Sequence, residues 1–209
     1  MVSMRTLTLL LVPAALFSAE PGFIELFNGK NLDGWTKAQE NESTFNVVDG
    51  VIKAVGPRCH LFYTGPVGNH NFKNFELKVD VMTEPNSNGG IYFHTEYQAQ
   101  GWPDKGFEVQ VNNTYERDPR KTGSLYMVQD NPNKVAEDKK WFTEHIIVNG
   151  DHVQVFVDGK KVVDWTQPAG WQGPKGSPGR VLSSGTFALQ GHDPGSTIYY
   201  KNIRVKPLP

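Results

Sequence analysis

Apolar and polar residues alternate with a period of two through most of the chain beyond residue 22, the mark of strands with one face in a core and the other wet. Phe75–Met82 is the plainest instance. In the stretch opened by Gly106, residues Phe107, Val109 and Val111 predict a core face and leave Glu108, Gln110 and Asn112 opposite. Three more stretches repeat the pattern with chemically richer polar positions. In Gly90–Glu96, Ile91 and Phe93 predict the core face, so Tyr92, His94 and Glu96 share the other. In Ser124–Met127, Tyr126 opposes Leu125 and Met127. In Phe187–His192, Phe187 and Leu189 face in while Gln190 and His192 face out, with Asp193 just past the strand end.

Turn chemistry punctuates these strands. Asp49-Gly50, Asn149-Gly150 and Asp158-Gly159 predict hairpins, since tight turns need residues tolerant of positive φ. Longer loops are expected at 97–105, holding Trp102-Pro103, at 113–122, holding Lys121, and at 129–140. An irregular excursion rich in Pro and Gly is expected from Gln167 to Arg180, with Trp171 as a lid or platform. Roughly a dozen short strands with hairpin signals predict an all-β, antiparallel two-sheet sandwich or jelly roll. No repeat period argues for a propeller or solenoid.

Length and charge narrow this picture. The chain's 209 residues suit one domain with a full core, and its net charge of −1 gives no electrostatic case for nucleic acid or an anionic membrane. Residues 1–19 combine a basic start with an apolar run from Thr6 to Phe17 and then Ser18-Ala19. This is read as a signal peptide, which predicts export to the periplasm or the extracellular space, with no membrane association after cleavage. Cys59 is the single cysteine, so no internal disulfide can form, and it reads as a small apolar filler.

Convergence of the four polar stretches on one sheet would make a groove with aromatic platforms and amide forks, suited to a neutral, hydroxyl-rich ligand. Such a groove serves binding and catalysis alike, which leaves a lectin-like module open. Laminarinase-like jelly rolls carry Glu-x-Asp-x-x-Glu on one strand. Here the comparable stretch is Glu108-Val109-Gln110-Val111-Asn112-Asn113, with amides where an acid must protonate a leaving oxygen. An ordinary two-carboxylate glycosidase would need Glu96 from the neighbouring strand. His94, Glu96, Glu108 and His192 could alternatively hold a divalent metal ion; no other cofactor is indicated. His60, His70, His145 and His152 read as surface or structural residues. Phosphate loops, nucleophile elbows and Cys-x-x-Cys pairs are absent from the sequence.

Leu26–Trp35, Asn88-Gly89-Gly90-Ile91, Gly106–Gln110, Thr122–Tyr126, Ala188–His192 and Asn202–Val205, in this order and spacing, resemble the 3-keto-disaccharide hydrolase domain family. The resemblance spans 22–208 and implies a concanavalin A-like jelly roll and a glycosidic-bond-cleaving enzyme acting on sugars already oxidised at C3. It also implies a carbohydrate substrate and bacterial export. Family members often carry Arg at the position of His94 and Gly at the position of Asp193. A 3-keto group acidifies the C2 proton, so a single base can start elimination of the C1 substituent, and water can add afterwards. On this expectation Glu108 and His192 are the catalytic candidates. Tyr92, His94, Glu96, Gln110, Lys121, Tyr126, Gln190 and Asp193 are the candidates for holding substrate.

Overall fold

The computed structural model describes residues 20–209, so the expected signal peptide at 1–19 lies outside the described residues. Thirteen strands follow in order: β1 (Ile24–Glu25), β2 (Trp35–Lys37), β3 (Phe45–Val48), β4 (Val51–Val55), β5 (Cys59–Tyr63), β6 (Phe75–Thr83), β7 (Gly89–Thr95), β8 (Phe107–Val111), β9 (Phe142–Asn149), β10 (His152–Val157), β11 (Lys160–Thr166), β12 (Thr186–Gly191) and β13 (Thr197–Pro207). Helix among the described residues is confined to two short 3-10 turns. The three predicted hairpins form. Asp49 and Gly50 both take positive φ between β3 and β4, as do Asp158 and Gly159 between β10 and β11.

The strands make two antiparallel sheets. One runs β11-β10-β9-β6-β13-β4-β3, with β1 added on β13; the other runs β2-β5-β12-β7-β8. Their facing sides enclose the core. Phe75 on β6 packs against Phe93 on β7 and Phe187 on β12, in one buried cluster with Leu77, Val79 and Val81 on β6 and Phe107 on β8. Phe93 and Phe107 stack at 5.2 Å between ring centroids. Each buried aromatic of this set contributes on the order of 1.5–3 kcal/mol of transfer free energy.

The two sheets differ in their outer faces. The larger sheet alternates buried and half-exposed residues, as on β6 and β9. The smaller sheet is buried on both sides along β5, β7, β8 and β12, because loops cover its second face. That covered face carries the polar side chains predicted for the groove.

Besides a register shift between β10 and β11, two bulges made by residues with positive φ break the alternation. Asn202 (φ 47°) shifts the β13 register, so Ile198 and Tyr200 are buried before it and Ile203 and Val205 after it. His94 (φ 54°) does the same near the end of β7, where the pairing of β7 with β12 shifts register. Backbone passes so close there that a Cβ on Gly185 would stand 2.2 Å from the Thr95 carbonyl oxygen.

The stretch at Tyr126 departs from expectation. Residues 126–128 form a turn, tied by isolated bridges of Leu125 to Val109 and Gln129, and Met127 is exposed at φ 62°. Tyr126 is therefore delivered by a turn beside β8.

Candidate active site in the loop-covered cavity

A cavity of about 490 Å³ lies over β12, β7 and β8. Its floor begins with Glu108, which is almost wholly buried. The Tyr92 hydroxyl donates to Glu108 Oε2 at 2.8 Å, and Gln190 Nε2 donates to Oε1 at 2.8 Å. Gly90 makes room for this carboxyl: a Cβ there would meet Oε1 at 2.6 Å and Cγ at 2.8 Å. Gln110 Nε2 donates to Asn88 Oδ1 at 3.0 Å along the same floor.

Burial pushes the Glu108 carboxyl above the ordinary carboxylate range, against the Arg180 charge and the hydrogen bonds from Tyr92 and Gln190. Burial likewise lifts the Tyr92 hydroxyl well above its ordinary value, with the Glu108 charge acting in the same direction, so it stays a donor.

His192 stands on the wall, one residue beyond β12. Its Nδ1 donates to Asp193 Oδ2 at 2.8 Å, and its ring lies between Trp102 (5.4 Å) and Tyr115 (5.7 Å). Burial alone would raise the Asp193 carboxyl, but hydrogen bonds from His192, the Ser196 hydroxyl and the Gly195 amide hold it below its ordinary value. An ionised Asp193 fixes the imidazole tautomer with the lone pair on Nε2, which has no hydrogen-bond partner among the described residues.

Arg180 was not singled out as a site residue in the sequence, yet it reaches the floor. Its Nη2 lies 3.7 Å from Glu108 Oε2, its Nη1 donates to the Tyr126 carbonyl at 2.6 Å, and its guanidinium rests on the Tyr126 ring. Trp171 does not line the cavity. Its Nε1 donates to the Arg180 carbonyl at 2.8 Å, so its part is to hold that arginine's backbone. The only sequence trace of Arg180 is its place at the end of the Pro/Gly-rich excursion, because nothing in a local pattern tells which loop cation folds back. Asn88 and Trp102 are further cavity residues outside the expected set.

Three expected residues lie elsewhere. The bulge at its own α-carbon turns His94 off the polar face. Its Nε2 donates to the Lys73 carbonyl (2.9 Å), its Nδ1 accepts from the Ser183 amide (3.2 Å), and its ring packs on Phe75 and Phe93. Glu96 follows the end of β7 and is exposed. It pairs with Lys105 at 3.2 Å on the rim of a separate depression. Lys121 staples its own loop, donating to the carbonyls of Tyr115 (2.9 Å) and Asp118 (3.2 Å). Tyr92, Glu108, Gln110, Tyr126, Gln190 and His192 do line the cavity, with Asp193 behind His192.

The fold thus does not assemble His94, Glu96, Glu108 and His192 as one ligand set. Among the described residues no group of three or more His, Cys, Asp or Glu stands where it could hold a metal ion.

Of the two readings of His60, surface or structural, the first does not hold: on β5 it is fully buried, with its ring against Tyr92 and Trp102.

Two antiparallel sheets with a polar cavity on the smaller one define a concanavalin A-like jelly roll. The chain belongs to the family of 3-keto-α-glucoside-1,2-lyase-like domains, whose model it matches over residues 22–206. A 3-keto-disaccharide hydrolase of Bacteroides thetaiotaomicron is 32% identical over 78 residues, covering 34% of this chain and 27% of that protein, so the match spans about a quarter of the relative. Among solved structures, a candidate glycosyl hydrolase of Parabacteroides distasonis superposes with a TM-score of 0.75 at 24% identity, covering 90% of this chain and 94% of that one. A carbohydrate-binding module of Bacillus subtilis superposes with a TM-score of 0.56 at 15% identity, covering 83% and 95%. At such identities these likenesses speak for the fold alone.

Proposed function

We propose that this chain cleaves glycosides already oxidised to the 3-ketone, by removal of the C2 proton, elimination at C1 and addition of water. The observation that carries the reading is His192, oriented by Asp193 and with Nε2 uncommitted, on the wall of a cavity whose floor holds a buried carboxyl and a guanidinium. Family membership supports the substrate class.

In this mechanism His192 Nε2 takes the C2 proton, and the electron pair moves onto the C3 oxygen. Arg180 offsets the enolate charge. The pair then returns to form the C1–C2 double bond as the C1–O bond breaks, and the leaving oxygen takes a proton from Glu108, whose burial favours holding one. Water adds its hydroxyl to C1, C2 regains a proton from the His192 imidazolium, and Glu108 is reprotonated by the second hydrogen of that water. The sum is hydrolysis with every proton returned. The C2 deprotonation step draws on neither the exposed Glu96 nor a second carboxylate flanking C1.

The test is solvent deuterium at C2 during turnover of a 3-keto-glucoside. His192→Ala should lower exchange and cleavage together by roughly 10²–10⁴-fold, and Glu108→Gln should lower cleavage more than exchange. Equal cleavage of the unoxidised parent, with no deuterium at C2, would overturn the mechanism. If exchange vanishes in Glu108→Gln and persists in His192→Ala, the base is Glu108.

A second reading, a lectin-like module, is favoured by one observation: both oxygens of Glu108 already accept hydrogen bonds from the floor. It calls for saturable glycan binding without turnover. Export to the periplasm or beyond belongs to the same proposal and rests on residues 1–19. A mature chain that retains those residues in the secreting cell would count against it.

A further inference from the structure

Three polar atoms beside the cavity are buried and have no partner among the described residues: Nδ1 and Nε2 of His60, and Oε1 of Gln190. The two residues stand directly opposite each other on β5 and β12, so their side chains are neighbours on the covered face of the smaller sheet. The Gln190 amide cannot simply be turned over to hide its oxygen. Its nitrogen donates to the Glu108 carboxyl and the Tyr92 hydroxyl, so turning the amide over would only leave the nitrogen unmatched in the oxygen's place. Leaving buried polar groups unmatched costs stability. Evolved cores rarely keep several side by side without a use for them.

The cover over His60 is distinctive. The Trp102 ring lies 5.6 Å from it between centroids, with the Arg58 guanidinium 5.1 Å from the indole centroid. Trp102 is nonetheless 42% exposed. The backbone of its loop is tied down: Gln98 binds the carbonyls of Gln100 and Trp102 and the amide of Asp104, and the Gly101 amide donates to Glu40. The indole is held only by side chains, His60, His192 and Arg58, so moving it, without moving the backbone, would open the path to His60.

Resting on the proposed reading of the cavity, we infer that His60 and the side-chain oxygen of Gln190 form a hydroxyl-binding subsite beneath Trp102, which takes a second hydroxyl-bearing part of the glycoside. The chemistry matches a hydroxyl. An alcohol donates once and accepts, so it can give its hydrogen to Gln190 Oε1 and accept one from the His60 ring. Burial, with the charge of Arg58 nearby, lowers the His60 pKa to about 3, so the ring is neutral and presents one donor and one acceptor. Trp102 would lie against the sugar as a platform once turned. Gln190 would then link the subsite to Glu108, touching both with one amide.

The experiment compares His60→Phe with wild type on a 3-keto-disaccharide and its set of monodeoxy analogues. His60→Phe should raise KM by roughly 5–30-fold with kcat little changed, the worth of one or two hydrogen bonds. For one deoxy analogue, wild type and variant should become equal. Ligand-free His60→Phe should be at least as thermally stable as wild type, because it loses two unmatched nitrogens. A KM unchanged for every substrate, or a loss identical across all analogues, overturns the subsite while leaving the cavity chemistry standing. If no keto-glycoside is turned over at all, that chemistry fails and the subsite is judged by calorimetric titration of both proteins with the same disaccharide. There a 5–30-fold weaker binding by the variant supports the subsite, and equal or absent binding overturns it. Should the variant not fold, nitrogen NMR signals of the His60 ring in wild type are followed through the titration. A shift is expected, and signals that do not move would end the idea.

Discussion

Gln190 on β12 and Glu108 on β8 are joined by a 2.8 Å hydrogen bond although β7 runs between their strands. They meet because residue 90 of β7 has no side chain, and a single Cβ there would fall 2.6 Å from the Glu108 carboxyl oxygen. The Asn88-Gly89-Gly90 motif thus acts through what it omits.

Gly90→Ala should therefore displace Glu108 and break its link to Gln190. Turnover of a 3-keto-glucoside is expected to fall by roughly 10²-fold, the scale of an ångström's misplacement at a reacting centre. Steady-state kinetics on a variant that keeps its β-rich circular dichroism would check it. Unimpaired turnover would show that the Glu108 position is not critical.

Arg180→Lys keeps a positive charge but loses the planar fork that lies on Tyr126 and bonds its carbonyl. A fall in kcat on the order of 10²–10³-fold is expected, with a smaller change in KM, if the guanidinium meets charge that develops only in the transition state. A pure KM effect would assign Arg180 to ground-state binding.

Glu144 on β9 is wholly buried in the core, and neither carboxyl oxygen has a hydrogen-bond partner among the described residues. Burial raises its pKa well above the ordinary value, against the neighbouring Gly123 amide. A carboxyl whose folded pKa lies above its unfolded one contributes stability below the unfolded value, near pH 4–5, and loses it as pH rises toward the folded value. Glu144→Gln should flatten the decline in denaturation midpoint across that window and raise stability at neutral pH. Urea titrations at several pH values would detect it, and an unchanged slope would contradict it.

His94→Leu should cost stability rather than chemistry. Both ring nitrogens serve backbone groups that would be left unmatched, so a loss of about 1–3 kcal/mol is expected in urea denaturation. Turnover should stay within about 3-fold of wild type, as for a residue outside the substrate's reach. A large kcat loss at intact stability would return His94 to the site.

Much of this was legible in the sequence because the side-chain period of a strand is a local property. Phe107, Val109 and Val111 had to face a core, so Glu108 and Gln110 had to face away from it. Hairpins at Asp49-Gly50 and Asp158-Gly159 followed from residues that accept positive φ. The all-β sandwich followed from the count and spacing of such pieces. Tyr92, Glu108, Gln110 and Gln190 were reachable by alternation, since no bulge intervenes before them on their own strands, and His192 continues the alternation one residue past β12.

Only the tertiary structure decided the rest. His94 left the polar face because one residue at φ 54° inverts the alternation, and nothing local distinguishes it from its neighbours. Glu96 fell past the strand end, and Lys121 found three partners in its own loop. Arg180 and Trp102 joined the cavity from loops whose paths depend on contacts far away in the chain, such as the Gly106 amide on the Gly179 carbonyl. His60 lies beside Gln190 because β5 and β12, about 130 residues apart, are hydrogen-bonded neighbours. The direction of a side chain on one strand follows from the backbone period. Which strands and loops lie side by side follows from how the whole chain buries its apolar faces at once.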